Sequence, residues 1–587
     1  MIKLWLNKYL RKSRGLFRNK LVVLVLLLAV VCVALVLCWW LTRRVQPKTP
    51  ATAPAPAASV KAAARLTPPS YLSSGWTYLP GTTVQNDTLL VSERTFAIVN
   101  QDGSGGQANP PVNLYGKHLK VSGGFVVNAQ LQNPALTKAT LRLYGDVPTI
   151  MDEFRIEPKS VRVTLNGATL TVERWDGNTI QPAYSRTFPV KPATQNQLRI
   201  TRQNGQIAVN VGGIAVGTIP EQGVFAAGNV WFGAESQGGS WTLSNLTVGP
   251  LAGGTVQTID TSALPTATKK VGGLQDLASK RRPGFLIGAA AALAPLAADD
   301  SYRQTLVDNF NLVTTENALK WQFVHPAPNT YDFHEGDALV DFAARNGIKV
   351  HGHTLVFGEA NPQWVQKLPA SEREAVMLDH IKTVVGHYKG KIASWDVVNE
   401  PFDDETWDQL RPHLWEQAMG DQYIPKAFQA AHQADPTALL FMNDYGLEED
   451  GDRWDAMLGL VTKLKKQGVP IDGVGFESHV YTAADKINGS VLRKHFQQLA
   501  AVGLKARLSE MDVYSEDGQA VQASQYSQVL AACLNETNCI SFGSWGVSDR
   551  YDWFKDDDGS VQQGQDLLWD NNMQPTPAVG AMLQVLR

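Results

Sequence analysis

Beyond residue 284 the chain alternates short apolar runs with helical stretches. The runs are FLIGAA (285–290), FNLVTTEN (310–317), IKVHGHTLVF (348–357), IASWDVVNE (392–400), ALLFMNDY (438–445), GVGFESH (473–479), KARLSEMDV (505–513) and CISFGSWGV (539–547). A strand-plus-helix unit repeated at this rate over about 300 residues is the arithmetic of a (β/α)8 barrel, so residues 284–587 are predicted to form a TIM barrel. Nearly every run closes on polar or aromatic groups: Glu316 and Asn317, His353, Asn399 and Glu400, Asn443 and Asp444, Glu477 and His479, Glu510 and Asp512, Trp545. An isolated Glu at a strand end is ordinarily a solvated loop residue. Polar closure repeated around a barrel instead marks the C-terminal face, where such folds place their chemistry.

Residues 70–250 follow a different period. Segments such as HLKVSGGFVVNAQL, SVRVTLNGATLTVERW and NQLRITRQNGQIAVNVGGIAVGTI alternate apolar and polar positions, with Asn166-Gly167, Asp176-Gly177 and Asn204-Gly205 as turn signals. This pattern predicts an all-β sandwich of two antiparallel sheets. Trp175, Tyr184, Trp231 and Trp241 are placed either to stack on sugar rings or to pack in its core. Two stretches lack a core pattern: 45–69, rich in Pro and Ala, and 251–283, rich in Gly and Thr. Both read as linkers.

The N-terminus is not globular. Residues 1–20 hold Lys3, Lys8, Arg11, Lys12, Arg14, Arg18 and Lys20 with no acid, and residues 21–41 are uncharged and apolar. A helix of that length covers about 30 Å, enough to span a bilayer. Trp39 and Trp40 form an interfacial belt before Arg43 and Arg44. The excess of positive charge ahead of the span predicts a single-pass membrane protein with a basic cytoplasmic segment, 1–20, and everything after the span periplasmic or extracellular. An oxidising compartment is one in which Cys533 and Cys539 could pair, although their spacing alone leaves that open. Across 587 residues the formal net charge is −2, which gives no global field for nucleic acid.

Glu400, on the fourth predicted strand, and Glu510, on the seventh, would face each other across the barrel mouth. Opposed carboxylates flanked by amide, imidazole and indole groups suit glycoside cleavage. The sequence shows no metal-ligand spacing, no phosphate-binding glycine loop and no nucleophile elbow, so no metal and no cofactor is expected.

The segments FNLVTTENALKW, GHTLVF, WDVVNEP, MNDY, GFESH, LSEMDV and SWGVSDRYDWF occur in order along the domain. Together they resemble glycoside hydrolase family 10, the retaining endo-β-1,4-xylanases. The resemblance implies Glu400 as general acid/base and Glu510 as nucleophile, with a separation of about 5–5.5 Å for retention. It implies Asn399 on the sugar 2-hydroxyl, and Glu316, Asn317 and Lys320 on the next sugar of the non-reducing side. His353 and His479 would orient the reacting sugar and the nucleophile, with Trp545 and Trp553 as an apolar roof. A Cys533–Cys539 disulfide is implied too. The end of 70–250 resembles concanavalin-like jelly-roll modules loosely.

The chain departs from the family pattern around the reacting sugar. Phe357 stands where Trp is usual, Gly358 where His is usual, Ala360 where Gln is usual, and Glu477 where Gln is usual. Lost bulk at Phe357, Gly358 and Ala360 would make room for a hexose. Three readings follow: a membrane-anchored endo-glycosidase acting on xylan; the same mechanism on a hexose-containing β-glycan such as a secreted exopolysaccharide; or an inactive carbohydrate-binding surface protein. The partner in each case is a polysaccharide.

Overall fold

The computed structural model describes residues 83–587 apart from 86–87, 92–95, 100–104, 109–111, 114–116, 133–136, 146–148, 152–153, 157–158, 177–181, 192, 227, 238, 261–263, 265–266, 327, 481–485, 515–517 and 552–565. The predicted span 21–41, the 45–69 linker and Trp553 lie outside the described residues. Among the described residues no helix is long and apolar enough to cross a membrane.

The first part is a β-sandwich. One sheet runs in the order Thr83–Gln85, Thr88–Val91, Trp241–Pro250, Phe125–Gln132, Gln195–Gln203, Gln206–Val211, Ile214–Pro220. The other runs Tyr184–Pro189, Thr169–Trp175, Ser160–Asn166, Lys138–Tyr144, Asn229–Gln237, Lys117–Ser122, Thr255–Asp260. Every pairing is antiparallel, and inward residues such as Leu141, Val163, Ile200 and Val209 form one core. The predicted Asn204-Gly205 turn is a two-residue hairpin loop between partners Gln203 and Gln206, with both residues at positive φ. That is the backbone such a loop demands. Trp231 and Trp241 are fully buried, so of the aromatic residues weighed for sugar stacking only Trp175 and Tyr184 keep exposed surface.

The second part is a closed barrel. Its strands are β1 (Leu286–Ala290), β2 (Leu312–Thr314), β3 (Lys349–Gly352), β4 (Ser394–Asn399), β5 (Leu439–Asp444), β6 (Gly473–Phe476), β7 (Lys505–Val513) and β8 (Cys539–Ser544). Each pairs in parallel with its neighbour, and β8 pairs back onto β1, closing the ring. Parallel strands covered on both faces are buried throughout, which is why β4 is buried at all six positions. Close packing requires glycine at Gly352, where an added Cβ would lie 2.2 Å from the Trp395 ring.

The 251–283 stretch is not a linker. Thr255–Asp260 completes a sandwich sheet by pairing with Lys117–Ser122, and Leu274–Arg281 is a helix whose Leu274 and Ala278 enter the barrel core. Arg282 donates to the carbonyls of Cys533 and Glu536, capping the end of helix Gln519–Leu534. The low apolar content misled because a short edge strand and a half-covered helix need few core residues.

Cys533 and Cys539 form a disulfide, with Cα atoms 5.2 Å apart. It ties the end of helix Gln519–Leu534 to the start of β8, and both residues are fully buried. Closing so short a loop contributes about 2 kcal/mol by constraining the unfolded chain. Replacing both cysteines by Ala should lower the unfolding free energy by that amount, read as a lower urea midpoint at unchanged slope; an unchanged midpoint would contradict it.

Candidate active site

The predicted runs extend past the strands that form. β2 stops at Thr314, β4 at Asn399 and β6 at Phe476, and the residues that follow turn into the barrel mouth. Glu316, Glu400 and Ser478 all have positive φ, at 29°, 47° and 62°. Left-handed backbone is costly for residues other than glycine and persists only where surrounding contacts enforce it. At Glu400 the backbone N–H is held by the carbonyl of Asn443, 2.9 Å away. At Ser478 both N–H and hydroxyl donate to Glu448, at 2.7 and 3.1 Å.

At the centre lies a residue that the sequence reading placed at a strand end without a role. The Asn443 amide nitrogen serves three oxygens: Asn399 Oδ1 at 2.9 Å, Glu477 Oε1 at 3.0 Å and Glu510 Oε1 at 2.7 Å. Its own oxygen accepts from Ser509 at 2.7 Å. Asn399 in turn donates to Glu400 Oε1 at 3.2 Å, so both candidate catalytic carboxylates hang on one amide chain. Gly475 makes the space: a Cβ there would sit 2.1 Å from Asn443 Oδ1. Arg411, also missed, donates to Glu400 Oε2 at 3.3 Å and to the Tyr445 hydroxyl at 2.9 Å.

Charge is divided unevenly among these groups. Burial alone would push His479 down, but Asp512 at 2.9 Å and Glu510 at 3.6 Å overcome it and hold the imidazolium up to about 10. Burial would likewise raise Glu510; His353, at 3.8 Å, and His479 outweigh it and keep its carboxyl below the usual range. Glu477 is driven the other way. Burial, then the charges of Glu510, Glu400, Asp444 and Glu448, push it well above the ordinary carboxyl value. Below these, Asp396 bonds His353 Nδ1 at 3.0 Å and is held by Arg507 at 3.1 Å, which fixes the His353 ring against Glu510.

The remaining site residues gather on the same face. His353 packs edge-on against Trp545, ring centroids 5.1 Å apart, and Lys320 Nζ lies 5.7 Å from the centroid of that indole. Glu316 and Asn317 are buried next to Lys320 and joined by a 3.4 Å hydrogen bond. Thus all the predicted site residues within the described chain meet at the C-terminal ends of β2 to β8.

One expectation needs correction. The space foreseen at Gly358 is filled: a Cβ there would lie 2.9 Å from the ring of His413, which comes from a distant loop and caps helix Leu414–Met419. A side chain lost at one position is replaced by one from another, which no local motif reveals. The fold also brings ligand atoms of Glu477, His479 and Glu510, and those of His353, Asp396 and Glu510, within 4.8 Å of one another.

Comparison with known proteins agrees with this geometry. The family model described as "Glycosyl hydrolase family 10" matches residues 273–585. A β-1,4-xylanase of Dictyoglomus thermophilum is 38% identical over 311 residues, covering 50% of this chain and 86% of that protein. Xylanase 10B of Thermotoga petrophila, solved with xylobiose, superposes with a TM-score of 0.51 at 34% identity, over 55% of this chain and 98% of its own. The native xylanase 10B of Thermotoga maritima gives 0.50 at 34% identity, over 54% and 98%.

The raised pKa of Glu477 fixes a pH dependence. A carboxyl whose pKa is raised stays neutral through the ordinary range and ionises only as pH climbs toward the shifted value. While neutral it offers a hydrogen-bond donor; once ionised it adds a negative charge beside Glu510. Activity should therefore fall at lower pH on the alkaline side than in Glu477→Gln, which cannot ionise. Superimposed alkaline limbs in the two pH–rate profiles would show that Glu477 is not coupled to the site.

Proposed function

Because the chain belongs to glycosyl hydrolase family 10, we propose that its barrel is a retaining endo-β-1,4-xylanase acting on xylan. The observation that carries this reading is the pair Glu400 and Glu510, on strands β4 and β7, tied together through Asn399 and Asn443. In the first step Glu510, ionised, attacks the anomeric carbon while Glu400 passes a proton to the departing glycosidic oxygen. In the second, Glu400 takes a proton from water, whose oxygen displaces Glu510 and regenerates it. In this reading Asn399 holds the 2-hydroxyl of the reacting sugar, and Glu316, Asn317 and Lys320 hold the next one. His353 and His479 would position that sugar and the nucleophile, with the Trp545 indole against His353.

A hexose-containing β-glycan, such as an exopolysaccharide, is the second reading. Phe357 and Ala360 favour it; His413, filling the space over Gly358, weighs against it. A panel of xylan, β-1,4-glucan and β-mannan with reducing-end detection separates the two. New ends from xylan are expected, with Glu400→Ala and Glu510→Ala each slower by at least about 10³-fold. Cleavage of a hexose polymer with xylan untouched would replace the first reading by the second. Binding without new ends on any polymer would overturn both.

The same proposal anchors the enzyme in a membrane through residues 21–41, with the barrel on the outer side. It is supported by 21 consecutive uncharged residues preceded by seven positive charges. Protease added to cells stripped of any outer membrane and wall should digest the barrel, and a barrel protected until the cytoplasmic membrane is broken would contradict the orientation.

A further inference from the structure

The geometry around Glu477 is that of a ligand set. Asn443 holds Oε1 of both Glu477 and Glu510, at 3.0 and 2.7 Å, which leaves Oε2 of each carboxylate toward His479. His479 Nε2 lies 3.6 Å from Glu477 Oε2 and 3.6 Å from Glu510 Oε2. Ligand atoms bound tetrahedrally at about 2.0–2.1 Å from zinc are about 3.3–3.4 Å apart, close to both imidazole–carboxylate distances here, and the ligand atoms of all three residues lie within 4.8 Å of one another. The other nitrogen of His479 is fixed by Asp512 at 2.9 Å, the carboxylate–histidine arrangement that orients metal-bound imidazoles. Glu477 and Glu510 are both buried, and the turn carrying Glu477 and His479 is pinned at Ser478 by Glu448. Few solvent-exposed acid clusters have such supports.

We infer that Glu477, His479 and Glu510 form a site for a first-row divalent cation, with Zn2+ as its representative, and that occupancy reversibly blocks the enzyme. Two carboxylate oxygens and one imidazole suit such an ion, with water in the fourth position. Binding displaces the protons that the ligands carry and puts a dication where the site concentrates acidic groups. Because Glu510 is a ligand, the bound ion removes the nucleophile and competes with substrate. A glutamine at 477 would offer only a neutral carbonyl oxygen, so the carboxylate at 477 is what completes the set. The inhibitory consequence rests on the proposed role of Glu510; the binding site itself does not.

The test is titration of the full-length chain, in detergent and stripped with a chelator, with ZnCl2 alone, followed by calorimetry and by zinc X-ray absorption. One Zn2+ per chain is expected, with a first shell of nitrogen and oxygen and no sulfur. Glu477→Gln should weaken affinity by at least about 100-fold, and Asp512→Asn by about 10–100-fold. Zn2+ should raise the apparent KM while leaving kcat unchanged. Absence of saturable binding to the wild type, or equal affinity in Glu477→Gln, overturns the site. If a variant misfolds, the wild-type absorption spectrum still decides, since a sulfur ligand or a shell without imidazole overturns it. Stoichiometric binding with turnover unaffected would instead contradict the role of Glu510 in the reaction, so failure of the two readings can be told apart.

Discussion

The barrel mouth is governed by the difficulty of burying several carboxylates in one place. Two unit charges of like sign 4 Å apart repel by about 4 kcal/mol even at an effective dielectric of 20, so each acid needs a partner or a proton. Asp396 has Arg507, Asp444 has Arg453 at 2.7 Å, Asp512 has His479 and Glu400 has Arg411. Glu510 stays ionised between two imidazoles. Glu477 is left on the costly side and takes a proton. The division between an ionised nucleophile and a neutral neighbour thus comes from which cation each strand end faces.

Asn443 makes that division possible. Its amide donates to both carboxylates, a bond type worth more than a neutral one when an acceptor is charged. Holding one oxygen of each, it also sets which oxygen remains for substrate or ion. The fold supports it at long range: Gly475 on β6 leaves room for the amide, Ser509 on β7 fixes its oxygen, and the carbonyl of Asn443 holds the turn at Glu400. Four strands, β4 to β7, therefore have to be in register before the carboxylate pair exists.

What could be read from the sequence follows from what each signal measures. Apolar runs report burial, so they found all eight strands but ran past their ends, because Glu316, Glu400 and Glu477 follow the strands and stay largely enclosed. The departures at 357, 358, 360 and 477 were visible by position. Their effect was not: Gly358 is answered by His413, more than fifty residues later in the chain. Arg411 sits at an ordinary-looking position, and Asn443 and Asp512 showed only as polar strand ends; the closed ring brings them to the glutamates. The strand 255–260 and helix 274–281 were hidden by the opposite failing, since Gly, Thr and charge mask a strand paired at a sheet edge and a helix covered on one side.

The most direct test of the account is the identity of the residue that carries the sugar. An activated 2-deoxy-2-fluoro xylobioside slows both chemical steps and lets the covalent intermediate accumulate, and peptide mass spectrometry then locates it. The predicted result is one label per chain on Glu510. A label on Glu477 or Glu400, or full inactivation with no label on the 505–513 peptide, would contradict the arrangement proposed for this site.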